Sequence, residues 1–379
     1  MIAGTTGGNC DWLCTGQEIF PAMLAAIDAS TRSVCLEMYI YSSGPLGLRF
    51  RDSLVRALER QVRVQVLIDA LGSFGLSTEF WKPLLQAGGD VRWFNPISLN
   101  RLGFRDHRKL LVCDETVAFV GGFNIAPEYE GDGVTCGWCD IGLRIEGLLV
   151  TQLSVSFAGM FARAGFQHKR FARLVKSSTN RTVSGAQEQL LLSGPARGQS
   201  PIKKALKKDL ELARSVQIMV AYFLPAWQLR RQLARVVQRG GQVQLILGAK
   251  SDVLVSRLAA QSLYRRLLKS GIQINEYQPQ VLHAKLIIID DAVYVGSANL
   301  DPRSLNINYE LMIRFDSAEF ARQARAVFGR CLGHSLQVSQ EQWTRERSLW
   351  RRFKQHWAYF LLVRIDPYIA RRQWRALPD

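Results

Sequence analysis

The hydrophobic pattern of this chain contains one arrangement of strands and helices that occurs twice. Short apolar runs at residues 34–40 and 64–68 predict two buried strands, and the apolar residues between them recur at the spacing of one helix face. The same order returns at residues 216–224 and 243–247, again with helical spacing in between. This alternation predicts an α/β fold built from two copies of one unit.

Matching segments further along each half extend the repeat. Residues 84–88 and 267–271 share a pattern of two leucines, a polar residue, a small residue and a glycine, and Pro96 and Pro279 each follow that glycine by eight positions. We therefore expect two domains, each a mixed β-sheet flanked by helices. The predicted segments are a first half at 12–164, a basic linker at 165–187, a second half at 188–335 and a basic, aromatic, helical extension at 336–379.

Each half carries a histidine and a lysine two residues apart, followed by an aspartate and then by a segment of glycine and asparagine. Because alternate residues of a strand point to the same side, each histidine shares a face with its lysine. A single histidine beside a lysine is more often structural, but two of the five histidines occupy equivalent places in a duplicated sequence. The two sets are His107, Lys109, Asp114, Gly122 and Asn124 in the first half and His283, Lys285, Asp290, Ser297 and Asn299 in the second.

This set suits the cleavage of a phosphodiester without a metal ion or a cofactor. A neutral imidazole attacks the phosphorus, and a second, protonated imidazole donates its proton to the leaving alkoxide. The lysines and the two glycine-and-asparagine segments, including Ser297, can bind or support the non-bridging oxygens. Asp140 and Glu310, which follow the two motifs, are predicted to hold the histidines in one tautomer. Asp114 and Asp290 belong to the predicted catalytic set, although we expect each to cap the turn after its strand.

Charge and cysteine content narrow the choice of partner and compartment. The formal net charge of +17 favours a polyanionic partner, either nucleic acid or an anionic lipid surface, or serves solubility alone. No run of eighteen apolar residues predicts a spanning helix, and no secretory signal is predicted.

The seven cysteines predict a reducing compartment. Cys136 and Cys139 have the spacing of a redox or zinc motif, but they lack a convincing βαβ context and two further ligands.

The C-terminal extension is basic and aromatic between residues 350 and 374. Phe353, Trp357 and Phe360 fall at helical spacing, so the segment predicts a helix that either lies in a bilayer interface or packs on the core. Pro367 is expected to break this helix. A second basic cluster, which either contacts lipid headgroups or forms a solvated face, comprises His168, Lys169, Arg170, Arg173 and Lys176.

The two complete His-x-Lys-x4-Asp motifs, each followed by Gly-Gly/Ser-x-Asn, resemble the signature of the phospholipase D superfamily over roughly residues 12–330. Within it, the Gly-Gly pair of the first copy, residues 297–306 and the C-terminal extension look most like bacterial cardiolipin synthases of the B type. The resemblance implies two halves packed across a pseudo-twofold axis around one active site, with His107 as the nucleophile and His283 as the acid. It also implies a peripheral protein on the cytoplasmic face of the bacterial inner membrane.

The function that the resemblance implies is a phosphatidyltransferase that forms cardiolipin from phosphatidylglycerol, or a related donor, through a phosphohistidine. Phosphatidylethanolamine and cardiolipin are further lipid substrates on this view, and an anionic membrane surface is a partner. A phospholipase D hydrolase, which releases phosphatidic acid, would use the same catalytic groups. A metal-independent nuclease and an inactive sensor of acidic lipids are alternatives that the fused copies and the intact motifs disfavour.

Overall fold

The strands of the protein form two sheets. A computed structural model describes residues 9–96, 104–165, 180–185, 187–195, 199–345, 348–366 and 368. The strands in these ranges are β1 (Cys10–Leu13), β2 (Ser33–Met38), β3 (Arg63–Asp69), β4 (Asp90–Phe94), β5 (Leu110–Cys113), β6 (Val117–Gly121), β7 (Gly142–Glu146), β8 (Arg181–Ser184), β9 (Glu188–Ser193), β10 (Ser215–Val220), β11 (Gln242–Gly248), β12 (Gln273–Tyr277), β13 (Lys285–Ile289), β14 (Ala292–Gly296), β15 (Glu310–Asp316) and β16 (Ser335–Gln337).

The helices alternate with these strands along the chain. The α-helices of the described ranges are α1 (Gly16–Ala29), α2 (Pro45–Glu59), α3 (Lys82–Gln86), α4 (Leu148–Gly165), α5 (Pro201–Leu210), α6 (Trp227–Gln238), α7 (Leu254–Lys269), α8 (Pro302–Asn306), α9 (Ala318–Gly333), α10 (Gln340–Arg345) and α11 (Leu349–Phe360). Short 3-10 helices occur at Thr78–Trp81 and Pro127–Tyr129, and α11 continues as a π-helical turn at Leu361–Ile365.

Seven strands of each sheet follow the same order. In the first sheet the order is β1-β7-β6-β5-β2-β3-β4, and the equivalent strands of the second sheet follow β9-β15-β14-β13-β10-β11-β12. In both sheets the three strands at one end are parallel, and the central pair next to them is antiparallel. The predicted α/β class and the predicted duplication are therefore confirmed.

Local sequence explains how the elements begin and which of them lie inside. All residues of β2 are buried because the strand lies between β3 and β5 and is covered on both faces, which is typical of a continuous apolar run. Helix α1 begins with a capping box, in which the Thr15 side chain accepts from the Glu18 amide and the Glu18 carboxylate accepts from the Thr15 amide. Helix α2 begins with Pro45 in its first turn, where a missing amide hydrogen is tolerated.

Three large apolar clusters, with a small fourth one around Ala259, form the interior of the described part of the chain. One lies between the first sheet and helices α1–α3, around Phe50, and another lies between the second sheet and helices α5–α7, around Leu233. The third lies between the two sheets and includes Phe157 of α4 and Phe328 of α9 together with side chains from both halves. Because this central cluster draws on both sheets, the two halves share one core.

The structure moves the boundaries of the predicted linker and extension. Strand β8 lies inside the predicted linker because its four residues pair with β9, and β16 lies at the start of the predicted extension because it pairs with β12. In the part of the chain that is described, no helix is both long enough and apolar enough to cross a bilayer. Outside the described residues lie Pro367 and the predicted basic cluster of His168, Lys169, Arg170, Arg173 and Lys176.

Candidate active site

Each His-x-Lys segment leads into the central antiparallel strand of its sheet. Strand β5 begins at Leu110, so His107 and Lys109 precede it, and β13 begins at Lys285, so His283 precedes it as well. This corrects the prediction that both residues of each pair lie within the strand. The residues of β5 and β13 are all buried. Each strand therefore anchors its His-x-Lys segment in the interior of the molecule.

The two halves hold each other's histidine segments through equivalent backbone contacts. The His107 amide donates to the Tyr309 carbonyl at 3.0 Å, and the His283 amide donates to the Cys139 carbonyl at 2.7 Å. Tyr309 and Cys139 each stand directly before one of the two predicted carboxylates. Each of these backbone contacts therefore places a carboxylate beside the histidine of the opposite half. Such reciprocal contacts are typical of a twofold arrangement.

Glu310, from the second half, holds His107. Both carboxylate oxygens of Glu310 lie 3.1 Å from His107 Nδ1, and Ser297 Oγ donates to Oε2. Burial raises the pKa of Glu310, but the charge of Lys109 and the hydrogen bond from Ser297 oppose this rise and favour the ionised carboxylate. Burial and the charges of Lys109 and Lys285 hold the pKa of His107 well below its ordinary value. The Ser297 hydroxyl thus donates to this carboxylate, and its contact with a phosphate oxygen stays a prediction.

Asp140, from the first half, holds His283 in the equivalent way. Its Oδ2 lies 2.6 Å from His283 Nδ1. Although burial opposes it, the positive charges of Lys285 and His283 keep the pKa of Asp140 below its ordinary value. A Cβ atom at Gly122 would lie 2.1 Å from Asp140 Oδ1, so the glycine leaves room for the carboxylate and supports the site only in this way.

Two lysines lie in the same buried cluster. Lys109 Nζ donates to the His107 carbonyl at 2.6 Å, and Lys285 Nζ lies 3.1 Å from His283 Nε2. Burial and the charge of Lys285 lower the pKa of Lys109 to about 7, and burial lowers the pKa of Lys285 to about 8. Both amines are therefore close to deprotonation at neutral pH, and an anionic group that binds between them would stabilise their charged forms.

Asn124 and Asn299 anchor equivalent loops at the ends of β2 and β10. The side-chain oxygen of Asn124 accepts from the Ile40 amide at 3.0 Å, and that of Asn299 accepts from the Tyr222 amide at 3.4 Å. Asn124 also donates to the Tyr129 hydroxyl at 2.6 Å. Both asparagines line the cavity of the site. Their contact with a phosphate oxygen stays a prediction.

Asp114 and Asp290 lie at the opposite ends of β5 and β13 from the histidines. Asp114 accepts from the Arg32 amide at 2.7 Å and from the Ser33 amide at 2.9 Å, and Asp290 accepts from the Ser215 amide at 2.8 Å. Their φ angles of 55° and 47° are left-handed, a turn conformation that aspartate tolerates. These are contacts of turn caps, so the place of both residues in the predicted catalytic set is corrected to a structural one.

A cavity of about 450 Å³ is lined by residues of both halves. His107 and Asn124 of the first half and His283 and Asn299 of the second lie in its wall. The wall also contains aromatic and basic side chains that the sequence analysis missed. They are Tyr39, Tyr129, Trp138, Tyr222, Arg105 and Arg303.

The missed aromatic residues pack against the reactive groups. The Tyr39 ring lies edge-on to the His107 ring with centroids 4.8 Å apart, and Lys109 Nζ lies 4.9 Å from the centre of the Tyr39 ring. The Trp138 ring lies 5.6 Å from the ring of His283. Tyr39 directly follows β2, and the ends of the parallel strands in an α/β sheet commonly line a site, so this signal was available from the sequence.

The cysteines of the described ranges do not assemble the redox or zinc site that two of them suggest. Cys136 is exposed, whereas Cys139 is buried with its sulfur 3.8 Å from that of Cys331. Within the described ranges, no group of three or more histidine, cysteine or acidic residues is arranged to hold a metal ion.

Comparisons with known proteins match both halves of the chain. The family model described as "Cardiolipin synthase, PLD-like domain" matches residues 23–130 and 206–332. The chain is 31% identical to the major cardiolipin synthase of Bacillus subtilis (strain 168), over 93% of this chain and 74% of that protein. It is 29% identical to cardiolipin synthase B of Escherichia coli (strain K12), over 94% of this chain and 88% of that protein.

A solved structure has the same fold. The phosphatidylserine synthase of Haemophilus influenzae Rd KW20 superimposes with a TM-score of 0.75, covering 95% of this chain and 94% of that one at 15% sequence identity. At this identity the likeness shows the fold alone. The match of the family model to both halves, together with the relatives that align along most of the chain, shows that this protein belongs to the phospholipase D-like family of cardiolipin synthases, which are enzymes of the phosphatidyltransferase type.

Proposed function

We propose that this protein forms cardiolipin by transferring a phosphatidyl group from one phosphatidylglycerol to another through a phosphohistidine. The observation that carries the proposal is that His107 and His283 lie in the wall of one cavity, each backed by a carboxylate from the opposite half. A carboxylate that accepts the Nδ1 proton makes Nε2 the reacting nitrogen of the ring. The names of the aligned relatives support this choice of reaction.

In the first step, His107 Nε2 attacks the phosphorus of the donor lipid. The P–N bond forms while the P–O bond to the glycerol headgroup breaks, and His283 gives its proton to the departing glycerol oxygen. His107 suits the nucleophile because its low pKa keeps the imidazole neutral. Burial and the charge of Lys285 lower the pKa of His283 as well, but the Asp140 carboxylate, 2.6 Å from its Nδ1, opposes this shift and favours the protonated ring, so His283 is the better acid of the two.

In the second step, a hydroxyl of a second phosphatidylglycerol displaces His107. His283, now neutral, takes the proton of this hydroxyl while its oxygen attacks the phosphorus and the P–N bond breaks. Two phosphatidylglycerols thus give one cardiolipin and one glycerol, and both histidines return to their starting protonation states.

Lys109 and Lys285 supply the positive charge that both steps require. Negative charge builds on the non-bridging oxygens in each transition state, and fixed cations in a buried cavity stabilise it more strongly than water does. Because the two amines lie close to deprotonation in the empty cavity, the anionic donor promotes their protonation as it binds.

A product assay tests this proposal directly. Purified protein is incubated with acyl-labelled phosphatidylglycerol, and we expect cardiolipin and free glycerol in equal amounts. Phosphatidic acid without cardiolipin would establish a hydrolase in its place. His107→Ala should abolish turnover, and His283→Ala should lower it by about 10² to 10⁴ because the acid is lost.

We also propose that α11 attaches the protein to an anionic bilayer. Trp350, Phe353 and Trp357 are each more than half exposed, whereas Gln355 and Ala358 are buried against the body of the protein. The aromatic face of this helix therefore points outward, which supports the interfacial alternative over packing on the core.

Position and charge support the same attachment. Leu362, in the π-helical turn that continues α11, and Asp366, just after that turn, line the cavity of the site, so the C-terminal end of this helical segment lies at the cavity. Arg351, Arg352 and Lys354 lie on the same helix, and each cation near an anionic leaflet adds about 1 kcal/mol of attraction.

A further inference from the structure

The wall of the cavity contains strongly basic side chains as well as the two histidines. Arg105 and Arg303 both lie in its wall. Arg105 is buried, and its pKa is lowered mainly by burial, with the charges of Arg303 and Asp366 acting on it in opposite directions. The two guanidinium groups and the Asp366 carboxylate are therefore neighbours within one part of the cavity.

Arg303 holds the carboxylate of Asp366 in a two-point ion pair. Arg303 Nε lies 2.5 Å from one carboxylate oxygen, and its Nη2 lies 2.6 Å from the other. A guanidinium fork matches a carboxylate and the two non-bridging oxygens of a phosphodiester equally well. The side chains are 35% and 25% exposed, so a ligand in the cavity can reach this pair.

The backbone of Arg303 is fixed beside the carboxylate that holds His107. Its carbonyl accepts from the Ile307 amide at 2.8 Å and from the Asn308 amide at 2.9 Å. Asn308 stands two residues before Glu310, the carboxylate that holds His107. The backbone of Arg303 is therefore tied to the segment that delivers Glu310, and its side chain lies in the same cavity wall as His107.

A second anion site in the same cavity fits an acceptor that is itself an anionic lipid. In phosphatidylglycerol the attacking hydroxyl is joined to a phosphodiester of its own by a three-carbon glycerol. Water and simple alcohols have no such anion. A cation in the same cavity as the two histidines therefore favours the lipid acceptor over its competitors.

We propose that Arg303, with Arg105 beside it, binds the phosphodiester of the acceptor lipid and that Asp366 occupies this position until the acceptor arrives. This inference rests on the proposed function, since it names the acceptor site of the same reaction. The phosphodiester replaces the carboxylate on the guanidinium fork, and no covalent bond changes in the exchange. Arg303 thereby acts as a residue that selects the acceptor.

Competition between two acceptors for one intermediate isolates this step. The protein is given phosphatidylglycerol together with ethanol, and the ratio of cardiolipin to phosphatidylethanol is measured. Both products arise from the same phosphohistidine, so the ratio does not depend on how much of a variant is folded or on the rate of the first step. Wild-type protein defines the reference ratio.

Substitutions of Arg303 and Asp366 should have opposite effects on the use of the lipid acceptor. Arg303→Gln should lower the ratio of cardiolipin to phosphatidylethanol by about tenfold or more, and Arg303→Lys should lower it less because the charge remains. Asp366→Asn should lower the phosphatidylglycerol concentration at which cardiolipin formation is half-maximal. Arg56→Gln is the matched control, because Arg56 makes a similar ion pair with Asp28 on an exposed surface, and its ratio should equal that of the wild type.

The outcomes separate this inference from the proposed function. A ratio that stays unchanged in Arg303→Gln, whether or not total turnover falls, would overturn the acceptor site alone. A wild-type protein that makes neither cardiolipin nor phosphatidylethanol from phosphatidylglycerol would overturn the proposed function, and the acceptor site with it.

Discussion

Equivalent positions of the two halves carry different residues where they meet the carboxylates. Gly122 stands against Asp140 and leaves it room, whereas Ser297 stands against the longer Glu310 and donates a hydrogen bond to it. In both halves a carboxylate lies at Nδ1 of a histidine, but in one half a glycine leaves space for it and in the other a serine hydrogen-bonds to it. Single substitutions at these positions should therefore have unequal effects.

Gly122→Ser should lower kcat by about 10² or more, because the new Cβ would collide with Asp140 and move it away from His283. Turnover of phosphatidylglycerol, compared at equal amounts of folded protein, measures the effect. Gly75→Ser is the control, since a Cβ there meets nothing within 4 Å. A folded Gly122→Ser protein with wild-type turnover would show that Asp140 does not act through His283.

The pH dependence of kcat/KM should reveal the lowered pKa values of the lysines. Lys109 and Lys285 must be protonated to bind an anionic donor, and their pKa values are about 7 and about 8. As pH rises through these values the amines lose their protons, so kcat/KM should begin to fall above about pH 7 and fall more steeply above about pH 8. A profile that stays level up to about pH 10, the ordinary lysine value, would contradict this assignment.

At the scale of elements, the aspartate of each motif connects a central hairpin to the neighbouring strand. Asp114 and Asp290 cap the turns after β5 and β13 and bind amides at the beginnings of β2 and β10. Their repetition in both halves thus reflects the fold that positions the histidines. On this view, Asp114 and Asp290 support the active site only by holding β5 and β13 against β2 and β10.

Asp114→Ala and Asp290→Ala should each lower the free energy of unfolding by about 1–2 kcal/mol, because several backbone amides lose their acceptor. The kcat of the folded fraction should stay near the wild-type value. Urea unfolding together with turnover at low temperature checks both statements. Asp291→Ala, which removes only an exposed ion pair with Arg325, serves as the control. Loss of turnover without loss of stability would return these residues to the catalytic set.

The outward face of α11 predicts attachment to vesicles that contain phosphatidylglycerol. Replacing Trp350, Phe353 and Trp357 together by serine should lower the fraction bound by about tenfold or more, because these aromatic side chains would enter the interface. Leu212 lies just after α5, and its side chain is 87% exposed. The Leu212→Ser variant should bind these vesicles as the wild type does. Equal sedimentation of the triple variant and the wild type with these vesicles would rule the attachment out.

For the whole molecule, the reactive cluster exists only where the two halves meet. The central apolar cluster combines both sheets, and the backbone contacts at Tyr309 and Cys139 exchange carboxylates between the halves. Each half therefore supplies one histidine and the carboxylate for the other. Duplication gives the molecule two similar motifs but one site.

Much of this arrangement could be predicted from local patterns, and the rest depends on packing. Apolar runs, helix starts and the repeated motif were sufficient to predict the α/β units and the histidines. The contact of His107 with Glu310 spans 203 residues, and no local pattern states which carboxylate meets which histidine. Arg303 was missed for the same reason, since only folding brings it to a cavity that the C-terminal segment also lines.

Identifying the covalent intermediate tests the central claim most directly. Wild-type protein is quenched at alkaline pH during turnover of phosphatidylglycerol, digested and analysed by mass spectrometry. We predict a phosphatidyl adduct on the peptide that contains His107 and on no other peptide. An adduct on His283, or continued turnover with no adduct on either histidine, would contradict the account.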